Sequence, residues 1–112
     1  MAIRSLGKVT VTTAGTPVRA TANQSDPTAR VAAQGFWVQT LVANTGKIWV
    51  GSAGMVKASG VGVYGFIPIP TANAQAGLSV EIALAPAGFN LAEIYLDSDV
   101  NGEAAIVSYT EQ

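Results

Sequence analysis

The chain reads as an all-β protein: a single-domain antiparallel β-sandwich, jelly-roll-like, with about eight strands. Three observations carry that expectation. Apolar residues recur with a period of two almost throughout, the spacing that sends alternate side chains to opposite faces of a strand. The alternating runs are short and bounded by Gly, Pro, Asn and Asp, with turns at roughly 8–14-residue spacing, as in a sandwich or barrel. The 112 residues suit one domain, which buries roughly 65% of its extended-chain surface without staples. Residues 1–112 are therefore expected to form one sandwich, with residues 1–7 as an extended N-terminal arm.

Element by element, Lys8-Val9-Thr10-Val11-Thr12 places both valines on one face. Thr13-Ala14-Gly15-Thr16 is turn chemistry, and Pro17 to Ala22 alternates again, so the two runs read as a hairpin. Residues 23–35 carry helix start and stop signals in Asp26-Pro27 and Gly35, but too few turns for a stable helix. They read as a loop with room for one helical turn, extended from Val31. Phe36 to Val42 is aromatic and β-branched, hence a strand. Asn44-Thr45-Gly46 turns the chain into a short strand, Lys47 to Gly51, and residues 51–62 read as a Gly-rich loop. Val63 to Ile69 is apolar, with Pro68 and Pro70 marking an edge or an end. Leu78 to Leu84 is the cleanest strand, with four large aliphatics on one face, and Pro86-Ala87-Gly88 breaks it. Leu91 to Leu96 continues extended, Asp97 to Gly102 turns, and Glu103 to Tyr109 closes the domain.

Composition narrows the function. There is no His and no Cys, and the charged residues are six basic and seven acidic, net −1. Without Cys there is neither a disulfide framework nor a thiolate metal site, which fits synthesis in a reducing cytoplasm. Arg4, Lys8, Arg19, Arg30, Lys47 and Lys57 are scattered and make no stripe for phosphates, so nucleic acid is not an expected partner. No apolar run approaches a signal peptide or a membrane span, so no membrane is expected either. A surface of Thr, Ser, Asn, Gln, Ala and Gly has little long-range repulsion and suits subunit contacts.

Candidate sites are few. Asp97-Ser98-Asp99-Val100-Asn101-Gly102-Glu103 matches the opening of a calcium loop, with Asp97, Asp99 and Asn101 as oxygen donors. The twelfth position is Ser108 rather than Glu, and Asn-Gly between alternating runs is also hairpin chemistry, the stronger reading. No cofactor is otherwise expected. Without His a Ser-His-Asp triad is impossible. Lys8, Lys47 and Lys57 sit in no Ser-Lys motif, and Glu81 and Glu93 read as solvated strand carboxylates, so no enzyme is expected. The 51–62 loop lacks a Gly-Lys-Ser/Thr ending and is not a phosphate loop. Met55 and Val56 at its centre either dock into a neighbouring subunit or fold back over the sandwich. Phe36, Trp37, Trp49, Tyr64 and Phe66 are too many for one core: Phe36 and Trp49 read as core, with interface and then sugar platform as the other roles. The interface candidates are Ile3, Arg4, Leu6, Arg30, Trp37, Met55, Val56 and Tyr64.

Gly7-Lys8-Val9-Thr10-Val11, Gly15-Thr16-Pro17-Val18-Arg19, Asn44 to Gly51, Ile67 to Asn73 and Phe89 to Glu103 together resemble, in order and spacing, a group of small tailed-bacteriophage virion structural proteins. The resemblance implies a virion component without enzymatic activity. The expectation built on it is a capsid decoration (cement) protein, made in the host bacterial cytoplasm and carried on the capsid surface. It would bridge major capsid protein subunits as a homotrimer, touching them through residues 1–7 and the loops 22–35 and 51–62. The alternatives are a neck, tail or fibre-attachment adaptor, and a carbohydrate- or host-surface-binding module with Trp37, Trp49 or Tyr64 as its platform.

Overall fold

A computed structural model describes residues 3–41, 43–68, 79–82 and 89–111. Their strands are β1 (Ile3–Val11), β2 (Val18–Arg19), β3 (Ala32–Thr40), β4 (Ile48–Val56), β5 (Val61–Ile67), β6 (Ser79–Ile82), β7 (Phe89–Asn90), β8 (Tyr95–Ser98) and β9 (Glu103–Glu111), with one 3-10 turn at Leu91–Glu93. They form two antiparallel sheets. The first has the order β1-β9-β3-β6, with β7 also on β3; the second has the order β2-β8-β4-β5. The all-β sandwich expected from the period-two pattern is what the chain forms. The two-residue β7 is the strand that the count of eight omitted.

The pairing is nested. β1 pairs β9, β2 pairs β8, β3 pairs β6 and β4 pairs β5. The chain thus folds like one long hairpin wrapped into two layers. Between the layers lie Val9 and Val11 of β1, Phe36 and Val38 of β3, Ile48 and Val50 of β4, Ile67, Leu96 and Val107, all 2% exposed or less. Each such side chain contributes about 1.5–3 kcal/mol by leaving water.

Residues 3–7 are not an arm. They belong to β1, where Ser5 opposes Ser108 and Gly7 opposes Val107, so Leu6 is the extra residue of a bulge. Gly7 takes φ 77° there, a conformation costly for residues with a Cβ. The bulge shifts the inward phase by one residue and turns Leu6 into the core at 5% exposure. Met1 and Ala2 lie outside the described residues.

β1 and β2 are likewise not a hairpin. They sit in different sheets, and the turn between them crosses the sandwich. It is anchored from across the fold: Gly15 N–H donates to Asp97 Oδ1 (2.9 Å) and Ala14 N–H to Asn101 Oδ1 (2.8 Å). Alternation reports which face a side chain takes, and it is identical for a hairpin and a crossing.

Residues 51–62 are a strand pair rather than an open loop. β4 runs on to Val56, the chain turns with Gly60 N–H donating to the Val56 carbonyl (2.9 Å), and β5 begins at Val61. Gly51 pairs Val63 while Val56 pairs Val61, so β4 takes five steps where β5 takes two. The excess around Ser52 to Met55 buckles onto β5. Leu91 to Leu96 is not one strand: Leu91–Glu93 is the 3-10 turn, capped by Asn90, whose side-chain oxygen accepts from Ala92 N–H. The following strand extends to Ser98 and carries Asp97 within it. β5 is the outer strand of its sheet, as Pro68 suggests, and Ser79–Ile82 form the core of the expected 78–84 strand. Val42, Ile69, Pro70, Leu78, Ala83, Leu84 and the Pro86-Ala87-Gly88 break lie outside the described residues.

The buckle makes two glycines a matched pair. A Cβ on Gly51 would lie 2.2 Å from the Gly62 carbonyl oxygen, whereas one on Gly54 meets nothing within 4 Å. Gly51→Ala is expected to destabilise by at least about 1–3 kcal/mol, the cost of overpacking. Gly54→Ala is expected to be neutral or to stabilise by up to about 1 kcal/mol through the unfolded chain. Denaturant melts of the two variants compare them directly.

Candidate functional site

The outer face of the second sheet gathers most of the chemistry. Across it, Asp97 of β8 and Phe66 of β5 both register with Trp49 of β4. Ile48 and Val50 fill the inward positions, so the period of two pushes Trp49 outward; it is half-buried there and not a core residue. Its ring lies 4.9 Å from that of Phe66, and Lys47 Nζ sits 4.8 Å and 5.6 Å from the Phe66 and Trp49 centroids. Such a cation over a partly exposed ring contributes about 0.5–1 kcal/mol.

The acidic turn closes on a lysine and on backbone and indole donors. Asp97, 2% exposed, accepts at Oδ1 from Gly15 N–H and Ser98 N–H (2.9 and 2.8 Å). Asp99 Oδ1 accepts from Trp49 Nε1 (3.0 Å), and Asn101 Oδ1 from Ala14 N–H. Lys57, carried over by the buckled β4–β5 pair, donates to the Ser98 carbonyl (2.6 Å) and stands 3.7 Å from Asp97 and 3.5 Å from Asp99. Glu103 caps the opposite turn, accepting from Thr45 and Gly46. Asp97 and Asp99 thus both face the Lys57 ammonium, and Asn101 is bonded to the Ala14 N–H instead. Among the described residues no group of three or more His, Cys, Asp or Glu is placed to hold a metal ion. The Asp97 to Gly102 stretch is no hairpin turn either, because β8 and β9 lie in different sheets. Gly102, at φ 81°, supplies the left-handed step of that crossing, and its N–H bonds Val11.

The interface candidates fall on different faces. Ile3 is exposed, and Arg4 forms an exposed ion pair with Glu111, which raises the Arg4 pKa. Trp37 is half-buried on the outer side of the first sheet, in register with Glu81 and Ser108. Arg30 is exposed on the 23–31 loop. Leu6 and Met55 are not available to a partner: the β1 bulge buries the first, and the β4–β5 buckle covers the second, apart from the main core. Val56 and Tyr64 are exposed, as is Phe66, one of the surplus aromatics, and the structure adds Val61, which the sequence reading did not consider. The signal was present in Val61-Gly62-Val63-Tyr64-Gly65-Phe66, where no charged residue marks a solvated face. Val61, Tyr64 and Phe66 lie on the outer strand β5, at 63%, 55% and 44% exposure, and Val56, at 50%, lies opposite Val61 at the end of β4.

Beside this edge the buckle leaves an open cleft of about 520 Å³, bounded by Arg19, Ser52, Tyr64, Asn90, Glu93 and Tyr95 among others. Arg19 lies over the Tyr95 ring at 5.2 Å and donates from Nη1 to the Ala92 carbonyl (2.7 Å). Nearby, Asp26 Oδ1 accepts from the Thr28 hydroxyl (2.7 Å) and Thr28 N–H (3.1 Å), which holds its carboxyl below the usual range. No helix among the described residues is long and apolar enough to cross a membrane.

Compared with protein-family models, curated proteins and solved structures, the chain matches none.

Two outcomes follow from these contacts. Asp97→Ala strands the buried Ser98 N–H, at about 1–3 kcal/mol, frees the Gly15 N–H and leaves Lys57 to Ser98 and Asp99 alone, so its denaturation midpoint should fall while calcium leaves the wild-type midpoint unmoved. Asp26 has a folded-state pKa below its unfolded value, so its stabilisation is present above the unfolded value and is lost as pH falls through the folded one. A carboxyl NMR titration should place the Asp26 midpoint low, and Thr28→Val should raise it toward the ordinary range.

Proposed function

We propose that the chain is a non-enzymatic structural protein of a tailed-phage virion, a decoration protein that sits on the capsid surface as a homotrimer and bridges major capsid subunits. The observation that carries this reading is the bare edge of the second sheet. Val61, Tyr64 and Phe66 are exposed on the outer strand β5, which has no charged residue of its own, and Val56 is exposed at the facing end of β4; the one cation against them is Lys47, over the Phe66 ring. Monomeric proteins rarely leave such patches open, and they guard outer strands with charges against pairing. A chain with only 13 charged residues also gives up the repulsion that keeps monomers apart.

Other features agree. The carboxylates of Asp97, Asp99, Glu103 and Glu111 are spent on backbone, indole or cationic partners within the fold, which leaves little for acid–base chemistry. The nested strand pairing supports reading the sandwich as a jelly roll, an architecture common among capsid domains. That likeness is architectural, and function rests on the site. Bridging several subunits at once converts modest interfaces into avidity, and cyclic symmetry matches a capsid lattice. Neither nucleic acid nor a cofactor has a part in this reading.

Quantitative mass spectrometry of purified particles and heat challenge of deletion particles test it. The expected result is many copies per head, heads that rupture at lower temperature without the protein, and loss of incorporation in Val61→Ser/Phe66→Ser. A few copies confined to one vertex would replace decoration with a neck or tail adaptor. Absence from particles would overturn the virion assignment altogether.

A further inference from the structure

The cleft beside the β5 edge holds polar groups that no other described residue engages. Asn90 shows this most plainly. Its side-chain oxygen is saturated by Val31 N–H and Ala92 N–H, both at 3.0 Å, which fixes the amide plane and leaves both Nδ2 hydrogens without an acceptor among the described residues. Arg19 spends Nη1 on Ala92 and its flat face on Tyr95, and its other N–H groups find no acceptor among the described residues. Glu93 is exposed on the 3-10 turn and forms no ion pair or hydrogen bond with them, although Arg19 bounds the same cleft. The hydroxyls of Tyr64 and Tyr95 are likewise unspent among the described residues.

These groups define a ligand by its chemistry. Arg19 and Asn90 donate, Glu93 accepts, and the two phenols do both. The formal charges of Arg19 and Glu93 cancel, so the cleft selects neither an anion nor a cation; a phosphate would face the Glu93 carboxylate. Tyr64, more than half exposed, offers a ring face at the cleft wall. A neutral molecule whose hydroxyls donate and accept, and whose C–H face lies on an aromatic ring, fits all of this. We propose that the cleft binds a neutral saccharide, one ring against Tyr64 and its hydroxyls shared among Arg19, Asn90 and Glu93. The volume is in the range of small-ligand sites. This is a second activity, independent of head decoration: an array of such clefts on a particle would hold a glycan-bearing surface through many weak contacts.

The test uses the intact chain and soluble neutral oligosaccharides built on glucose, galactose or N-acetylglucosamine, followed by amide chemical-shift mapping and calorimetry. At least one is expected to bind with a Kd of about 1 mM or tighter and to shift amides of residues 19, 64, 90 and 93. Tyr64→Ala and Glu93→Gln should each weaken it about tenfold, a loss of about 1.4 kcal/mol. Phe66→Ser, which removes an edge residue outside the cleft, should leave it unchanged. All three positions are exposed, so folding is retained and far-ultraviolet circular dichroism verifies it. No binding by any of the sugars, or binding indifferent to Tyr64→Ala and Glu93→Gln, overturns the proposal. So does preference for a free amino acid over every saccharide. Tyr64 borders both the edge and the cleft, whereas Phe66 belongs to the edge alone and Glu93 to the cleft alone, so Phe66→Ser and Glu93→Gln distinguish failure of this proposal from failure of the decoration reading.

Discussion

The structure depends on its nested pairing. Each outer pair of strands encloses the next, with β1 on β9, β2 on β8, β3 on β6 and β4 on β5. Only that wrapping brings two short sheets face to face, and only facing sheets bury Val9, Val38, Val50 and Val107 together. Stacked sheets stand about 10 Å apart, which mid-sized aliphatics fill without voids. The crossings between layers then need anchors, because a crossing turn has no ladder of its own.

One buried carboxylate supplies several of those anchors. Asp97 receives the turn after β1 through Gly15 and lies against the lysine brought over by the β4–β5 pair. A carboxylate removed from water must be paired or hydrogen-bonded, and here the partners come from distant parts of the chain. The acidic run that resembles a metal loop is better understood as this tie. Its oxygens are occupied because they hold turns together, and Trp49, bonded to Asp99, extends the tie to the outer sheet surface.

Much of the fold was legible because alternation is a local property. Val9 and Val11, or Ile48 and Val50, announce their strand and face from spacing alone. Partnership is not local, so Thr13-Ala14-Gly15-Thr16 looks like a hairpin turn while it crosses between sheets. Leu6 was misplaced because one bulge residue reverses the phase, and nothing in Arg4-Ser5-Leu6-Gly7 besides the glycine signals it. Met55 was ambiguous because burial there comes from three surplus residues in β4, visible only against the register of β5. Val56 and Tyr64 could be read as exposed apolar positions. The cleft could not, since Arg19, Ser52, Tyr64, Asn90 and Tyr95 come from separate strands and meet only after both layers close.

The pairing of the first strand with the last also governs how this polypeptide is born. Ile3–Val11 hydrogen-bond to Glu103–Glu111, so β1 has no ladder partner until β9 has been synthesised. Contacts this distant in sequence carry the full entropy of loop closure and slow the search. Until β9 has been made, β1 is an unsatisfied strand exposed to neighbouring nascent chains. The exposed charges within β1, Arg4 and Lys8, oppose such pairing.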